Sequence, residues 1–251
     1  MQYSIFKNNQ LLQILNQNSR EELADNCLSA NSIEYFFHNH IKIMNPNTGW
    51  TGYQNINISQ KQISESFQIN QSTNAITARQ EGTSTIGIVS CLHQAIFNDN
   101  YRILIIGGKL AYGRELLQKV VLSDKFEATV IKRNIDRIEF SNGSSIQISG
   151  TNETNLRGKS FHMVWFDNTD FIDNFSELYS STRMYQCRDY KNTKWLFTSA
   201  IGDSCNSLKL SLDTRIQTLV LPTNRDEESK QYLLNSMGRE RYNREYECRF
   251  F

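Results

Sequence analysis

Hydrophobic residues follow two alternating spacings from about residue 75 to the end of the chain. Short continuous apolar runs predict buried strands at 74–78, 103–106, 163–166, 195–197 and 218–221. Apolar residues at helical spacing predict helices over 83–98 and 110–121. Two alternating segments, 137–140 and 145–148, flank an Asn-Gly pair and predict a hairpin. Because strands alternate with helices, we predict an α/β fold with a mainly parallel central sheet flanked by helices.

The first 50 residues have helical character. The apolar residues of 11–15 predict a short amphipathic helix, and Asn18-Ser19 followed by two glutamates predicts the start of another. Asn-Pro-Asn-Thr-Gly at 45–49 predicts a turn. We therefore divide the chain into a helical N-terminal lead-in over 1–50 and an α/β domain over 51–251. The N-terminus lacks the apolar run of a signal peptide, and no stretch is long enough to predict a membrane span.

Composition narrows the class of protein without identifying a function. The 251 residues fit one domain with a small subdomain, and 39% hydrophobic content is ordinary for a folded protein. A net charge of +1 gives no global signature of a nucleic-acid binder. Two local basic clusters are either DNA contacts or solvated faces: Lys125, Lys132, Arg133 and Arg137, and Arg239, Arg241 and Arg244. Five scattered cysteines without C-x-x-C spacing favour reduced thiols in an intracellular protein over a disulfide framework or a zinc site.

The sequence Arg-Gln-Glu-Gly-Thr-Ser-Thr at 79–85 lies between a predicted strand and a predicted helix. A phosphate-binding loop occupies that position, because it needs a glycine for close approach, a helix N-terminus for the anion and a hydroxyl for a metal ion. Gly82, Ser84 and Thr85 meet these needs. The lysine that normally follows the glycine is replaced by Thr83. The alternative is a polar helix start at which Thr83 or Ser84 is the capping residue.

The predicted strand at 163–166 runs directly into Asp167 and has the form of a Walker B strand. An aspartate there holds the metal ion, and an acid normally follows it to polarise the attacking water. This chain has Asn168 at the second position, and the nearest substitute is Asp170. The alternative is a buried strand that ends at an aspartate acting as a helix cap.

The order of these segments resembles the N-terminal ATPase domain of tailed-phage large terminases, which are additional-strand P-loop NTPases. The loop at 79–85 resembles the terminase sequence Arg-Gln-x-Gly-Lys-Thr/Ser-Thr apart from the lysine. Phe-Ser-Asn-Gly-Ser-Ser-Ile at 140–146 and Leu-Arg-Gly-Lys-Ser-Phe at 156–161 resemble the approach to the terminase Walker B strand. Asp-Asn-Thr-Asp-Phe-Ile at 167–172 resembles Asp-Glu-x-x-Phe-Ile, and 195–200 resembles the coupling motif. The resemblance extends over about 36–251 and includes a closing segment at 242–250.

The resemblance implies ATP and Mg²⁺ as ligands and a role for each matching residue. Ser84 and Asp167 would bind the metal ion. The nucleotide-binding residues would be Gln60 at the adenine, the loop residues Gln80, Gly82, Thr83, Ser84 and Thr85, and the state-sensing Thr198 and Ser199. Arg79 and Arg157 would stabilise the transferred phosphate, Arg157 in its own subunit or a neighbouring one. Together with Asp167, Asn168 and Asp170 they complete the candidate catalytic set.

The resemblance also implies partners: double-stranded DNA, a portal protein and a small terminase subunit. It implies a homo-oligomeric ring on the procapsid, a monomer when alone, and a place in the host cytoplasm. We expect the terminase nuclease domain to be absent from this chain. Two departures, Thr83 and Asn168, favour a second interpretation, a catalytically degenerate subunit that binds nucleotide or DNA. A helicase-like ATPase of the same class and an α/β domain that binds no nucleotide are the remaining alternatives.

Overall fold

The structure is a computed structural model that describes residues 17–44, 48–107, 114–115, 118, 120–127, 129–151, 160–183 and 192–249, with the side chains of 17–20 left out. Its helices are α1 (Gln17–Asn31), α2 (Ile33–His40), α3 (Ile58–Ile69), α4 (Thr83–Phe97), α5 (Asp124–Glu127), α6 (Phe175–Ser181), α7 (Asn206–Ser211), α8 (Glu227–Met237) and α9 (Arg239–Glu245). Its strands are β1 (Ile41–Met44), β2 (Thr51–Tyr53), β3 (Ser72–Thr77), β4 (Arg102–Gly107), β5 (Val120–Leu122), β6 (Val130–Arg133), β7 (Arg137–Phe140), β8 (Ser145–Ser149), β9 (Met163–Asp167), β10 (Lys194–Ser199) and β11 (Gln217–Leu221).

A central sheet of eight strands has the order β11-β3-β10-β9-β4-β8-β7-β6. Pairing is parallel from β11 to β8 and antiparallel for β7 and β6, so the predicted mainly parallel α/β fold is confirmed. Strand β10 lies between β3 and β9, which is the inserted strand of the predicted additional-strand class. The central strands β4 and β9 are nearly continuous apolar runs, as expected of strands whose two faces both contribute to a hydrophobic core.

The parallel register brings the candidate site residues to one edge. Thr198 of β10 is paired with Asp167 on one side and Ala75 on the other. Ligands of open α/β sheets bind at the carboxyl ends of the strands. The edge that holds Asp167 and Thr198 also holds the turn from β3 into α4.

The N-terminal region contains strands as well as helices. Helices α1 and α2 match the predicted helical lead-in, but 41–44 form β1, in a three-stranded antiparallel sheet of order β2-β1-β5. The prediction of helix over 110–121 is wrong at its end, because Val120 and Val121 belong to β5 and pair with β1. A β-branched pair fits a helical or a strand spacing, and tertiary pairing decides between them. The predicted helix at 11–15 lies outside the described residues.

The Asn-Gly hairpin forms as predicted and closes the end of α4. Gly143 has a φ of +80°. The Asn142 side-chain Nδ2 donates to the carbonyls of Ala95, Ile96 and Asn98, which satisfies acceptors left open at the end of the helix.

Helix α4 packs against the sheet through its smallest residue. Gly87 faces Trp165 of β9, and a Cβ atom there would lie 2.2 Å from the indole ring. Trp165 is fully buried in the larger core, together with Ile33, Phe36 and Phe37 of α2. The same core therefore joins helix α2, helix α4 and the central sheet.

Candidate nucleotide-binding site

The loop between β3 and α4 has the backbone conformation of an anion cradle. Gln80 and Gly82 have φ values of +65° and +72°. The carbonyl of Gly82 accepts hydrogen bonds from the amides of Thr85 and Ile86, and no side chain caps the helix. The alternative of a polar cap formed by Thr83 or Ser84 is therefore wrong. The start of α4 is directed at the space that the loop encloses, where a helix dipole favours an anion.

Two residues at the start of α3 brace this loop. Gln60 Nε2 donates to the Gly82 carbonyl at 3.0 Å, and Asn57 Nδ2 donates to the Glu81 carbonyl at 2.9 Å. Asn57 and Gln60 also form a reciprocal capping box, in which Gln60 Oε1 accepts from the Asn57 amide. The structure thus brings Gln60 to the loop, where its observed partners are protein groups. Contact with adenine stays a prediction.

Four side chains form a connected network where β9, β10 and α4 meet. Ser84 Oγ donates to Asp167 at 3.0 Å, and Thr198 Oγ1 donates to the other carboxylate oxygen at 2.7 Å. The indole N–H of Trp165 donates to Thr198 Oγ1 at 2.9 Å. The parallel register places Thr198 beside Asp167, and the turn into α4 brings Ser84 opposite them. The predicted metal-binding pair, Ser84 and Asp167, is therefore in direct contact.

The Asp167 carboxyl is buried, and its side-chain hydrogen-bond partners among the described residues are Ser84, Asn168 and Thr198, none of them cationic. Burial raises the pKa of Asp167 to about 6, although hydrogen bonds from Thr198 and Ser84 act in the opposite direction. Desolvation penalises the charged form of an acid, and a cation at the site would restore it. One carboxylate and one hydroxyl suit Mg²⁺, which keeps most of its water and phosphate ligands.

Thr83 stands where the loop lysine is expected, and its side chain is bonded within the protein. The Thr83 hydroxyl shares a hydrogen bond of 2.8 Å with Thr77, the last residue of β3. This bond fixes the threonine against the strand that precedes the loop. Thr83 can therefore support the loop, but it supplies no positive charge to a phosphate.

Arg79 is held by the C-terminal helices. Its Nε lies 3.5 Å from Glu245 Oε2, its amide donates to the Glu245 carbonyl, and its guanidinium lies 5.6 Å from the ring centre of Phe171. Glu245 is buried and is also paired with Arg241. The arginine at the front of the loop therefore shares a buried carboxylate, and its predicted role at phosphate stays a prediction.

Asn168 and Asp170 differ in how they relate to the network. Asn168 adopts a left-handed conformation with φ +57°, which asparagine tolerates better than most residues, and its Nδ2 lies 3.4 Å from Asp167 Oδ2. The Asp170 carboxylate accepts from the amides of Gly202 and Ser207 and from the Ser207 hydroxyl. Asp170 thus caps α7. The structure does not bring its carboxylate into the network of Asp167.

The other candidate residues are near this edge or outside the described residues. Thr85 lies in the first turn of α4. The Ser199 hydroxyl accepts from the Asp170 amide at 3.1 Å and donates to the Ala200 carbonyl, so it holds the turn after β9. Arg157 lies outside the described residues.

A segment beyond β11, which the sequence patterns did not indicate, contacts the loop. Thr223 Oγ1 donates to Glu81 Oε1 at 3.0 Å, and Arg225 Nη2 donates to Gln80 Oε1 at 2.8 Å. The signal that could have found it is positional, because β11 is a parallel neighbour of β3 and residues after such strands meet at one edge.

The predicted basic clusters are largely ion-paired. Arg133 pairs with Glu127, Arg137 with Glu139, and Lys125 with Asp25. In the second cluster, Arg241 pairs with Glu245 and Arg244 with Asp203. Neither cluster is a bare positive face.

Two absences hold for the part of the chain that the structure describes. Among the described residues, no group of three or more His, Cys, Asp or Glu residues is placed to hold a metal ion. None of the described helices is both long enough and apolar enough to cross a bilayer.

The sequence matches a known family over the segment that contains this network. Residues 74–200, about half of the chain, match the family described as terminase large subunit, T4likevirus-type, N-terminal. The chain belongs to this family. The matched segment runs from β3 through the loop to the end of β10, so the terminase match contains Ser84, Asp167 and Thr198.

Solved terminase structures share the fold. The ATPase domain of the Thermus phage P74-26 large terminase is 14% identical with a TM-score of 0.63, and the match covers 80% of this chain and 95% of that one. The HK97 bacteriophage large terminase is 14% identical with a TM-score of 0.59, covering 82% and 47%. The large terminase of a thermophilic bacteriophage is 10% identical with a TM-score of 0.59, covering 77% and 53%. The chain spans about half the length of the last two. The last of the three has also been solved with ATP-gamma-S and with ADP.

Proposed function

We propose that this chain is the ATPase domain of a viral DNA-packaging terminase, which couples ATP binding and hydrolysis to movement of double-stranded DNA into a procapsid. The observation that carries the proposal is the contact of Ser84 with Asp167 at the start of α4, in a segment that matches the terminase family. The complexes of the thermophilic bacteriophage terminase with ATP-gamma-S and ADP support nucleotide as the ligand of this fold.

In this proposal the loop amides of 82–84 bind the phosphates, and Ser84 and Asp167 hold Mg²⁺. The donor set fits, since a buried carboxylate with a raised pKa gains most from a cation. Bound Mg²⁺ would supply charge neutralisation at the phosphates. Thr198 keeps Asp167 in place through its hydroxyl, and its own hydroxyl is fixed by the indole of Trp165. Gln60 and Asn57 hold the loop open for the anion.

A second function, nucleotide binding without efficient hydrolysis, is favoured by the residues after Asp167. Asn168 cannot accept a proton, and Asp170 already accepts three hydrogen bonds from the start of α7 and its approach. The left-handed conformation of Asn168 also suits asparagine better than glutamate. A chain with this site would serve as a regulatory or DNA-binding subunit of the same machine.

The partners belong to the same proposal. Double-stranded DNA, a portal protein, a small terminase subunit and a homo-oligomeric ring are what a packaging motor requires. Family membership supports them, and no contact surface for any of them is identified in the described residues.

Calorimetric titration of Mg²⁺-ATP, followed by turnover assays, tests the proposal. The variants are Thr83→Lys, which adds the missing charge, Asn168→Glu, which adds the missing acid, and Asp167→Asn, which removes the metal ligand. Micromolar affinity in the native chain that Asp167→Asn abolishes supports the nucleotide site, and measurable turnover supports the motor. Binding without turnover, with turnover gained only in Asn168→Glu, supports the regulatory function. Absence of ATP binding in the native chain refutes both functions, whether or not Thr83→Lys binds ATP.

A further inference from the structure

The loop lacks the positive charge that a triphosphate requires. Thr83 stands where a lysine is expected and is bonded to Thr77. Arg79 shares the buried carboxylate of Glu245 and lies against Phe171. A nucleotide that enters this site with three or four negative charges needs another cation close to the loop.

Arg225 reaches the loop from a different strand. It follows β11, the parallel neighbour of β3, and its Nη2 donates to the Gln80 side chain at 2.8 Å. Its guanidinium also lies 5.5 Å from the ring centre of Tyr246, which stacks on Tyr242. This aromatic contact helps to orient the planar guanidinium beside the loop.

Arg225 is available to bind a phosphate because of the partner it has in the structure, unlike the other arginines nearby. Its side-chain hydrogen-bond acceptor within the described residues is a neutral amide oxygen, whereas Arg79, Arg241 and Arg244 are each paired with a carboxylate. A phosphate oxygen is a stronger acceptor for a guanidinium than an amide is. Exchange of Gln80 for a phosphate therefore needs no carboxylate to be left uncompensated.

The segment around Arg225 is also fixed to the loop at several points. The Thr223 hydroxyl donates to Glu81, the Thr223 amide donates to the Tyr246 carbonyl, and the Ala78 amide donates to the Leu221 carbonyl. These bonds already hold 221–225 beside the loop. Little further conformational entropy is therefore lost when a ligand binds there.

We propose that Arg225 is a nucleotide-binding residue that supplies, from the segment after β11, the positive charge that Thr83 does not supply to the bound polyphosphate. This inference rests on the proposed nucleotide site. It assigns a role to a residue outside the family-matched segment, which ends at residue 200.

The experiment measures the affinity for ATP and for adenosine by competition against a fluorescent ATP analogue, with Mg²⁺, at several salt concentrations. The variants are Arg225→Ala, Arg225→Lys and the double variant Arg225→Ala/Thr83→Lys. Arg215→Ala is the matched control, because Arg215 is an exposed arginine just before β11, at the opposite end of the same strand. Thermal unfolding of each variant without ligand confirms that it is folded.

We expect Arg225→Ala to bind ATP on the order of 10-fold to 100-fold more weakly, with adenosine affinity and Arg215→Ala unchanged. Arg225→Lys should retain part of the affinity, and Thr83→Lys should restore ATP binding in the double variant. The salt dependence of ATP affinity should become shallower in Arg225→Ala.

Two results would overturn the inference while the nucleotide site stands. Either Arg225→Ala binds ATP like the native chain, or it loses ATP and adenosine to the same extent, which would make Arg225 a support of the pocket. A native chain that binds no ATP refutes the proposed function instead, so the two failures are distinct.

Discussion

At the scale of single residues, the partners of the Asp167 carboxylate within the described part of the chain are hydroxyl groups and an amide, which offset its burial without a positive charge. A metal ligand held in this way costs stability in the empty protein and regains it on binding. At pH values well below 3.8, the ordinary pKa of an aspartate, the carboxyl is protonated in both the folded and the unfolded chain, so it has little effect. As the pH rises towards about 6 the unfolded chain ionises first, and the native state is progressively destabilised relative to it.

Asp167→Asn should therefore stabilise the chain in the absence of ligand. We expect a gain of about 3 kcal/mol in unfolding free energy at pH 7.5, from a pKa difference of about two units, and only a small fraction of that gain at pH 4. Urea unfolding in EDTA at pH values from 4 to 7.5 measures it. The same variant should lose Mg²⁺-dependent stabilisation by ATP.

Asp170→Asn is the matched control for this prediction. It replaces an oxygen that accepts from Gly202 or Ser207, so it should cost about 1–3 kcal/mol at neutral pH. Equal effects of the two substitutions would contradict the distinction between a ligand carboxylate and a capping one.

Gly82 carries a second prediction at this scale. Alanine there meets two penalties, a left-handed backbone and a Cβ atom 2.4 Å from Gln60 Nε2. Gly49→Ala meets only the first, since φ is +68° and nothing lies within 4 Å of its Cβ. We expect about 1 kcal/mol of destabilisation at Gly49 and at least twice that at Gly82, with ATP affinity reduced only at Gly82. Thermal unfolding and calorimetry compare them, and similar values at both positions would show that Gln60 yields freely.

Residue order identified part of this site. Ser84 and Asp167 follow from a loop-helix junction and an apolar strand ending in an acid, and Thr198 follows from its place at the end of another buried strand. The family resemblance added the role of Thr198. Local sequence patterns do not indicate Arg225, because its position beside the loop depends on the pairing of β11 with β3. The same patterns do not indicate the capping role of Asp170, because its partners Gly202 and Ser207 are distant in sequence.

At the scale of elements, the position of α4 on β9 depends on Gly87, whose lack of a side chain leaves room for Trp165. Gly87 allows the helix to approach Trp165, whose indole N–H holds Thr198. The contact that fixes the helix thus also fixes the hydroxyl beside Asp167. Helix packing and site geometry are set by the same pair of residues.

Gly87→Ala should displace α4 from the sheet. Overpacking of this kind costs typically about 1–3 kcal/mol, and we expect the longer distance from Ser84 to Asp167 to weaken Mg²⁺-ATP binding. Trp165→Phe in the same chain makes room for the new methyl group and should recover part of the stability, though not the bond to Thr198. Chemical unfolding of the single and double variants gives the coupling energy. Additive effects would show that the two side chains do not meet.

Sequence patterns predicted the buried elements far better than the exposed ones. Apolar runs predict strands β4, β9 and β10. Strand β6 was not, because it lies at the sheet edge with three exposed residues. The hydrophobic spacing predicts a helix end at β5, since its three residues acquire strand geometry by pairing with β1.

At the scale of the whole molecule, positive charge is balanced almost locally. The net charge is +1. In both basic clusters, the arginines that form ion pairs do so with nearby acidic residues. A single domain of this kind has little electrostatic attraction for DNA. Tight engagement then requires many domains acting on one duplex.

The isolated chain should bind double-stranded DNA weakly and with a shallow salt dependence. We expect a slope of log affinity against log salt of about −1 to −3, corresponding to few phosphate contacts. Fluorescence anisotropy at about 25 to 200 mM salt measures it. Glu127→Gln and Glu139→Gln release Arg133 and Arg137 and should steepen the slope if DNA meets this face. Asp213→Asn, which releases Arg215 near the opposite edge strand, is the control.

The loop is fastened to the C-terminal helices through the backbone bond from Arg79 to Glu245 and the ion pair between the same residues. Thermodynamic reciprocity gives this fastening a consequence for an assembled motor. If filling the loop changes how firmly α9 is held, then whatever holds α9 from outside changes the affinity for the nucleotide by the same factor. A neighbouring subunit that binds α9 would thereby respond to nucleotide at this site and would change the affinity of the site for nucleotide. Domains in a ring need coupling of this kind to act in turn.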